Sequence, residues 1–177
     1  MTRYTDSKLF TPVQVGPVTL LHRVVMAPLT RSRSEHPGDI PSDLMVEYYG
    51  QRASEGGLII SEATSISITG RGWFGAPGLY SDEQVAGWKK ITSAVHAKGG
   101  RMFSQLWHTG RSSRVEMAGG QMPVSASVNP SYWADASHHA AGYALRGSHR
   151  LLGRASLEVY VVPPIGPQSR SGSLETA

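Results

Sequence analysis

Residues 81–111 read SDEQVAGWKKITSAVHAKGGRMFSQLWHTGR, and this stretch predicts a helix, a stop and a strand in direct succession. Ser81 and Gln84 stand at capping-box spacing, so the helix has a defined start. Val85, Trp88, Ile91 and Val95 recur at helical spacing and supply one apolar face. Lys98 complements the negative end of the helix dipole, and Gly99 with Gly100 provides a left-handed turn that ends the helix. Arg101 to Leu106 then reads as a strand. The same grammar recurs upstream. Pro41 and Ser42 open a helix with Met45, Tyr48, Tyr49 and Ala53 on one stripe, Gly56 and Gly57 close it, and Leu58 to Ser61 is a second strand. Earlier still, Val13 to Leu20 reads as a small hairpin or extended lead-in, and Val24 to Ala27 as a buried strand stopped by Pro28. The order β, α, β, α, β, with crossovers of this length, predicts parallel strands in an α/β fold.

Composition narrows the function classes. The chain has 177 residues, 40% of them hydrophobic, enough for a globular core. It contains no cysteine, which excludes disulfides, thiolate metal sites and a cysteine nucleophile. No apolar run is long enough to cross a bilayer, and Met1 to Lys8 lacks the pattern of a secretory signal, so a cytoplasmic protein without membrane partners is expected. The net charge of +4 is mild. Residues 138–177 hold Arg146, Arg150, Arg154 and Arg170 against Glu158 and Glu175, scattered among Gly, Ser and Pro, which does not make a nucleic-acid surface. Past Asp135 the βα grammar fails. Two regions are therefore expected, an ordered α/β part over 1–135 and an irregular tail over 136–177.

Each of the three expected strands runs straight into polar residues. The first ends in Ala27-Pro28-Leu29-Thr30-Arg31, the second in Ser61-Glu62-Ala63-Thr64, and the third in Gln105-Leu106-Trp107-His108-Thr109-Gly110-Arg111. Loops are polar in any protein, but in parallel α/β folds the carboxyl ends of the strands share one rim, where ligands bind. A small Ala63, an amide at Gln105 and a hydroxyl at Thr30 suit a planar heterocycle with imide-like edges.

These residues also carry a family resemblance. Lys8-Leu9-Phe10, Arg23 to Arg31, Glu47-Tyr48-Tyr49 through Gln51-Arg52-Ala53, Leu58 to Thr64, Gly75-Ala76-Pro77-Gly78-Leu79, Gln105 to Arg111 and Pro123 to Ser127 resemble, in order, signatures of the Old Yellow Enzyme family. The resemblance covers about the first three quarters of the chain. It implies a TIM (β/α)8 barrel with FMN at its C-terminal mouth, and hydride transfer from NAD(P)H through the flavin to an α,β-unsaturated carbonyl or similar activated alkene. It implies that Pro28, Leu29 and Thr30 line the flavin, Thr30 tuning its reducibility, that Ala63 contacts the ring, and that Gln105 bonds the pyrimidine edge. Trp107 would border the substrate pocket, as would Trp73, which stands where many family members have Tyr. In such a site the protein orients and tunes while the cofactor performs the chemistry.

Other features mislead. Gly70-Arg71-Gly72-Trp73-Phe74-Gly75 satisfies G-x-G-x-x-G, yet no helix opens at Gly75, Pro77 intervenes, and no acidic residue stands near the expected ribose position about 20 residues on. His138, His139 and His149 lack a carboxylate among them, so no metal site is expected. His138-His139-Ala140-Ala141-Gly142-Tyr143 resembles the family's His-x-Ala-(His or Asn)-Gly-Tyr, but Ala141 replaces the second polar residue and no apolar strand presents the motif, so Tyr143 is not expected to donate the proton. A whole barrel needs eight strands and roughly 250 residues, whereas about three βα units are legible here. The abrupt change after Asp135 is what an out-of-frame reading of a GC-rich gene produces. The expectation is a truncated or frameshifted, non-catalytic fragment as the alternative to an active enzyme, with self-association through the incomplete barrel.

Overall fold

Both helices begin where a serine hydroxyl takes up a backbone N–H that the first helical turn leaves unpaired. In the computed structural model, which describes residues 7–124, Ser42 caps α1 (Asp43–Arg52) and Ser81 caps α2 (Asp82–His96). At α2 the capping box is complete, the Gln84 side chain accepting the Ser81 N–H at 3.0 Å while the Gln84 N–H donates to Ser81 Oγ. The strands are β1 (Val13–Val15), β2 (Val18–Leu20), β3 (Val25–Met26), β4 (Leu58–Ser65) and β5 (Arg101–Trp107). Residues β3, β4 and β5 comprise lie in one parallel sheet in sequence order, and β1 with β2 makes a separate antiparallel hairpin.

The result is β3-α1-β4-α2-β5, a partial α/β sheet that does not close into a barrel among the described residues. Expectations for the chain after Val124, including the tail, the boundary at Asp135, the three histidines and Tyr143, lie outside the described residues. Among the described residues no helix is long and apolar enough to cross a membrane.

One face of the sheet is closed by both helices. Met45 and Tyr49 from α1, Trp88, Ile91 and Val95 from α2, and Ile59 from β4 form the main core. Burial of each such aliphatic side chain contributes about 1.5–3 kcal/mol. The Trp88 indole N–H donates to the Gly78 carbonyl at 2.9 Å, so the largest core residue also ties the loop before α2 to the helix. Val85, on the expected stripe, is only partly buried, because Gln84 and Gly87 occupy the contact side of the first turns. The hairpin covers the other face at its amino end, where Leu20 packs with Leu58 and Phe103.

Boundaries differ from the sequence expectation at several places: β3 is only Val25–Met26, with Val24 and Val25 exposed where a buried strand over Val24–Ala27 was expected, and β5 runs one residue further, to Trp107. The helix α1 ends at Arg52 rather than running to Gly56, because Ala53 turns extended. The glycine pair instead makes the turn into β4, with Gly56 at φ +63 and a Cβ there meeting Leu21. The strand β4 continues to Ser65, four residues past the expected Ser61, because it stays paired with β5 through an irregularity between Ile60 and Ala63.

Candidate active site

In a regular strand, side chains alternate between faces, so Ile60 and Ala63, three residues apart, would point to opposite sides. The irregularity removes that mismatch. Ile60 pairs with Phe103, Ala63 with Gln105 and Ser65 with Trp107, so the carboxyl halves of β4 and β5 present Ala63, Ser65, Gln105 and Trp107 on the face the helices do not cover. Ser61 satisfies the backbone where the ladder shifts: its hydroxyl accepts the Gln105 N–H at 3.1 Å and donates to the Glu62 carbonyl at 2.8 Å.

On this face Ala63 is buried, and Gln105 is 9% exposed. The Gln105 amide has no hydrogen-bond partner among the described residues, which leaves a donor and an acceptor available beside a side chain no larger than a methyl group. The Trp107 indole N–H donates to Ser65 Oγ at 3.1 Å, which holds the half-buried ring at the end of β5.

The loop after β3 carries Pro28, half-buried, and Leu29 and Thr30, both exposed. It is joined to the loop after β4 by several contacts. The Ser34 N–H donates to the Gly75 carbonyl at 3.1 Å, and the Gly78 N–H to the Asp39 carbonyl at 2.9 Å. Buried Asp39 faces Arg71, with Nη2 to Oδ1 at 2.9 Å and Nε to Oδ2 at 2.5 Å, and the Tyr80 hydroxyl at 3.4 Å. Burial, as the main cause, raises the Tyr80 phenol above its ordinary range. Gly75, at φ +76, lets the two loops meet, since a Cβ there would stand 2.7 Å from the Ser32 carbonyl oxygen. The loop after β5 joins the same cluster, with Thr109 Oγ1 donating to the Arg71 carbonyl at 3.0 Å and Ser113 Oγ donating to it as well. Three strand-end loops are therefore stapled into one rim.

The expected residues fall into two groups on that rim. Ala63 and Gln105 are brought directly opposite one another, and Pro28 to Thr30 lie in the loop that the neighbouring strand emits. Trp73 stands apart at 62% exposure, beside the equally exposed Phe74. Glu62, counted among the polar residues that follow the second strand, is inside β4 and fully buried. Its Oε1 accepts the Tyr49 hydroxyl at 3.1 Å, and its Oε2 accepts the N–H groups of Arg31 at 3.1 Å and Ser32 at 3.3 Å. Burial pushes the Glu62 carboxyl above its ordinary value, while the Arg31 N–H, the Tyr49 hydroxyl and the Ser32 N–H pull the other way. Burial and then the Glu62 charge raise the Tyr49 phenol. The staple between Asp39 and Arg71 and the Glu62 contact with the first loop escaped sequence reasoning. The one signal for Glu62 was a lone carboxylate in an otherwise apolar or small-residue run. Among the described residues no cluster of three His, Cys, Asp or Glu could hold a metal ion.

The sequence profile of the NADH:flavin oxidoreductase / NADH oxidase family matches residues 8–149. The chain belongs to this family. It is 50% identical over 125 residues to the flavin oxidoreductase hxnT of Emericella nidulans, covering 69% of this chain and 32% of that protein. It is 46% identical over 129 residues to 12-oxophytodienoate reductase 7 of Oryza sativa subsp. japonica, covering 72% and 32%. Among solved structures it resembles morphinone reductase in complex with tetrahydroNAD, with a TM-score of 0.64 at 55% identity over 69% of this chain and 33% of that one. The old yellow enzyme homologue from Zymomonas mobilis gives 0.65 at 50% identity over 70% and 34%. These solved structures are TIM-barrel enzymes, and the described sheet is the first part of such a barrel. The chain spans about a third of the length of the relatives it matches.

Proposed function

We propose that the face opposite the helices and the rim form part of the FMN-binding mouth of an NAD(P)H-dependent oxidoreductase acting on α,β-unsaturated carbonyls or related activated alkenes. The observation that carries this reading is the register of β4 against β5, which sets Ala63 beside the uncommitted amide of Gln105 on the face opposite the helices. The residues fit the group. Ala63 leaves room for a planar ring to approach the strand, Gln105 can both donate to and accept from a pyrimidine edge, and the exposed Thr30 hydroxyl has no partner among the described residues. Pro28 and Leu29 would line the ring, and Thr30 would donate near a ring carbonyl and so ease reduction. Trp107, held by Ser65, would wall the substrate side, and Trp73 would border it from the loop after β4. The chemistry a bound FMN supplies is hydride acceptance from NAD(P)H and hydride delivery to the β-carbon of the alkene.

The experiment is the visible absorbance spectrum of the purified chain after incubation with FMN and gel filtration, with Gln105→Ala as control. Co-elution of flavin with the parent and its loss from the variant supports the site. Absence of flavin from both defeats it.

A second reading, a non-catalytic fragment of such an enzyme that self-associates, is favoured by the one-third coverage of its relatives and by the edges of the sheet. Among the described residues β3 and β5 each have a single strand partner, and Val24, Val25 and Leu29 are exposed near the β3 edge. Under this reading light scattering shows concentration-dependent oligomers and no flavin is retained, whereas a flavin-loaded monomer excludes it.

A further inference from the structure

A carboxylate with no exposed surface is costly to bury, and each buried charge needs hydrogen bonds to compensate. Glu62 is 0% exposed, and among the described residues no Lys or Arg side chain hydrogen-bonds to it, the Arg31 charge acting on it only through space. Its compensation comes instead from the Tyr49 hydroxyl and from two successive main-chain N–H groups, Arg31 and Ser32, on the neighbouring loop. The Tyr49 oxygen in turn accepts the Glu62 N–H at 2.8 Å. The carboxylate thus spans α1, β4 and the loop after β3.

The grip falls at a telling place. Arg31 follows Thr30 directly, and Ser32 holds a left-handed backbone at φ +56, a region that a non-glycine residue enters only where its surroundings compensate. Two N–H groups converging on one carboxylate oxygen supply that compensation. We infer that Glu62 is a positioning residue, which locks the Thr30-Arg31-Ser32 backbone in one conformation and so sets where the exposed Thr30 hydroxyl stands, before any ligand arrives. The part of this inference that concerns flavin rests on the function proposed above. The part that concerns the loop does not.

Acceptor capacity separates positioning from simple space filling. Glu62→Met keeps similar length and fills the core but removes both acceptors, and it relieves a buried charge, so global stability can hold or rise while the loop loosens. Glu62→Gln keeps one oxygen that can accept the loop N–H groups while its NH2 donates to the Tyr49 oxygen.

The test is amide hydrogen exchange of the full chain, read on residues 27–34 with residues 101–107 of β5 as the internal control, together with FMN titration of each variant. The expected result is that Glu62→Met speeds exchange at Arg31 and Ser32 by about tenfold or more with β5 unchanged, and that Glu62→Gln stays within about threefold of the parent. FMN affinity then falls about tenfold in the Met variant and is largely restored in the Gln variant. Parental exchange at Arg31 and Ser32 in Glu62→Met overturns the inference, as does loosening of the loop and β5 together by Glu62→Gln. Should Glu62→Met fail to fold, seen as lost β5 protection, Glu62→Asp carries the test: its shortened side chain should free the loop amides alone, and unchanged exchange overturns the inference. A parent chain that binds no FMN defeats the proposed function, while the exchange comparison still decides the role of Glu62.

Discussion

The two faces of the β3-β4-β5 sheet are built from the same strands and do opposite things. The face under α1 and α2 is filled with Met45, Tyr49, Ile59, Trp88, Ile91 and Val95, all buried. Among the described residues the other face is packed with apolar side chains at its amino end, by Leu20, Leu58 and Phe103, and toward the carboxyl end it turns to Ala63, Ser65 and Gln105. Side chains that close one face gain from excluding water, whereas on the other face the Gln105 amide keeps hydrogen-bonding capacity with no partner among the described residues. Under the proposed function, stability and ligand chemistry fall on opposite sides of one sheet.

That division breaks most visibly if the closed face is cut. Trp88→Ala empties the core beneath α2 and frees the Gly78 carbonyl, so urea unfolding should show a loss of about 3–5 kcal/mol. The rim is next. Gly75→Ala places a Cβ against the Ser32 carbonyl at a positive φ, and the same measurement should show a loss of about 2 kcal/mol, with proteolysis concentrated in the loops after β3 and β4. Smaller again is Ser81→Ala, which removes the hydroxyl of the α2 capping box and should cost about 1 kcal/mol without altering any rim contact.

Glu62 sharpens the comparison through pH, because it lies at the seam between the two regions. Its folded-state pKa is raised above the ordinary 4.5 by burial, so the folded protein holds that proton more tightly than the unfolded chain. Its protonation therefore contributes stability that is fully present below 4.5 and lost as pH rises through the raised folded value. The stability of the parent relative to Glu62→Gln should fall across that window on raising pH, and a difference that grows instead would reverse the assignment. The smallest change in stability belongs to the face opposite the helices. Gln105→Ala should stay within about 0.5 kcal/mol of the parent in urea while abolishing flavin retention, and a large destabilisation would mean that Gln105 belongs to the core.

Much of the fold was legible because its signals are local. Capping at Ser42 and Ser81, the apolar positions Met45, Tyr49, Trp88, Ile91 and Val95, and the order of the parallel strands all appear as expected. The family, too, could be recognised from motifs spread in order along the chain. The end of β4 was not legible. Ser61-Glu62-Ala63-Thr64 looks like a polar strand exit, and only pairing with β5 keeps it extended.

What the sequence by itself determined was therefore the set of elements, their order, and the residue types available at the strand ends, because helix capping, apolar periodicity and turn chemistry act over a few neighbouring residues. What only the tertiary structure decided was the facing of those residues. The shift between Ile60 and Ala63 turns Ala63 toward Gln105 and sends Glu62 to Tyr49 and the Arg31-Ser32 amides. The Arg71 and Asp39 contact joins loops 32 residues apart. Such pairings depend on the strand across the ladder and on the burial of a charge, and neither is visible to a segment read alone.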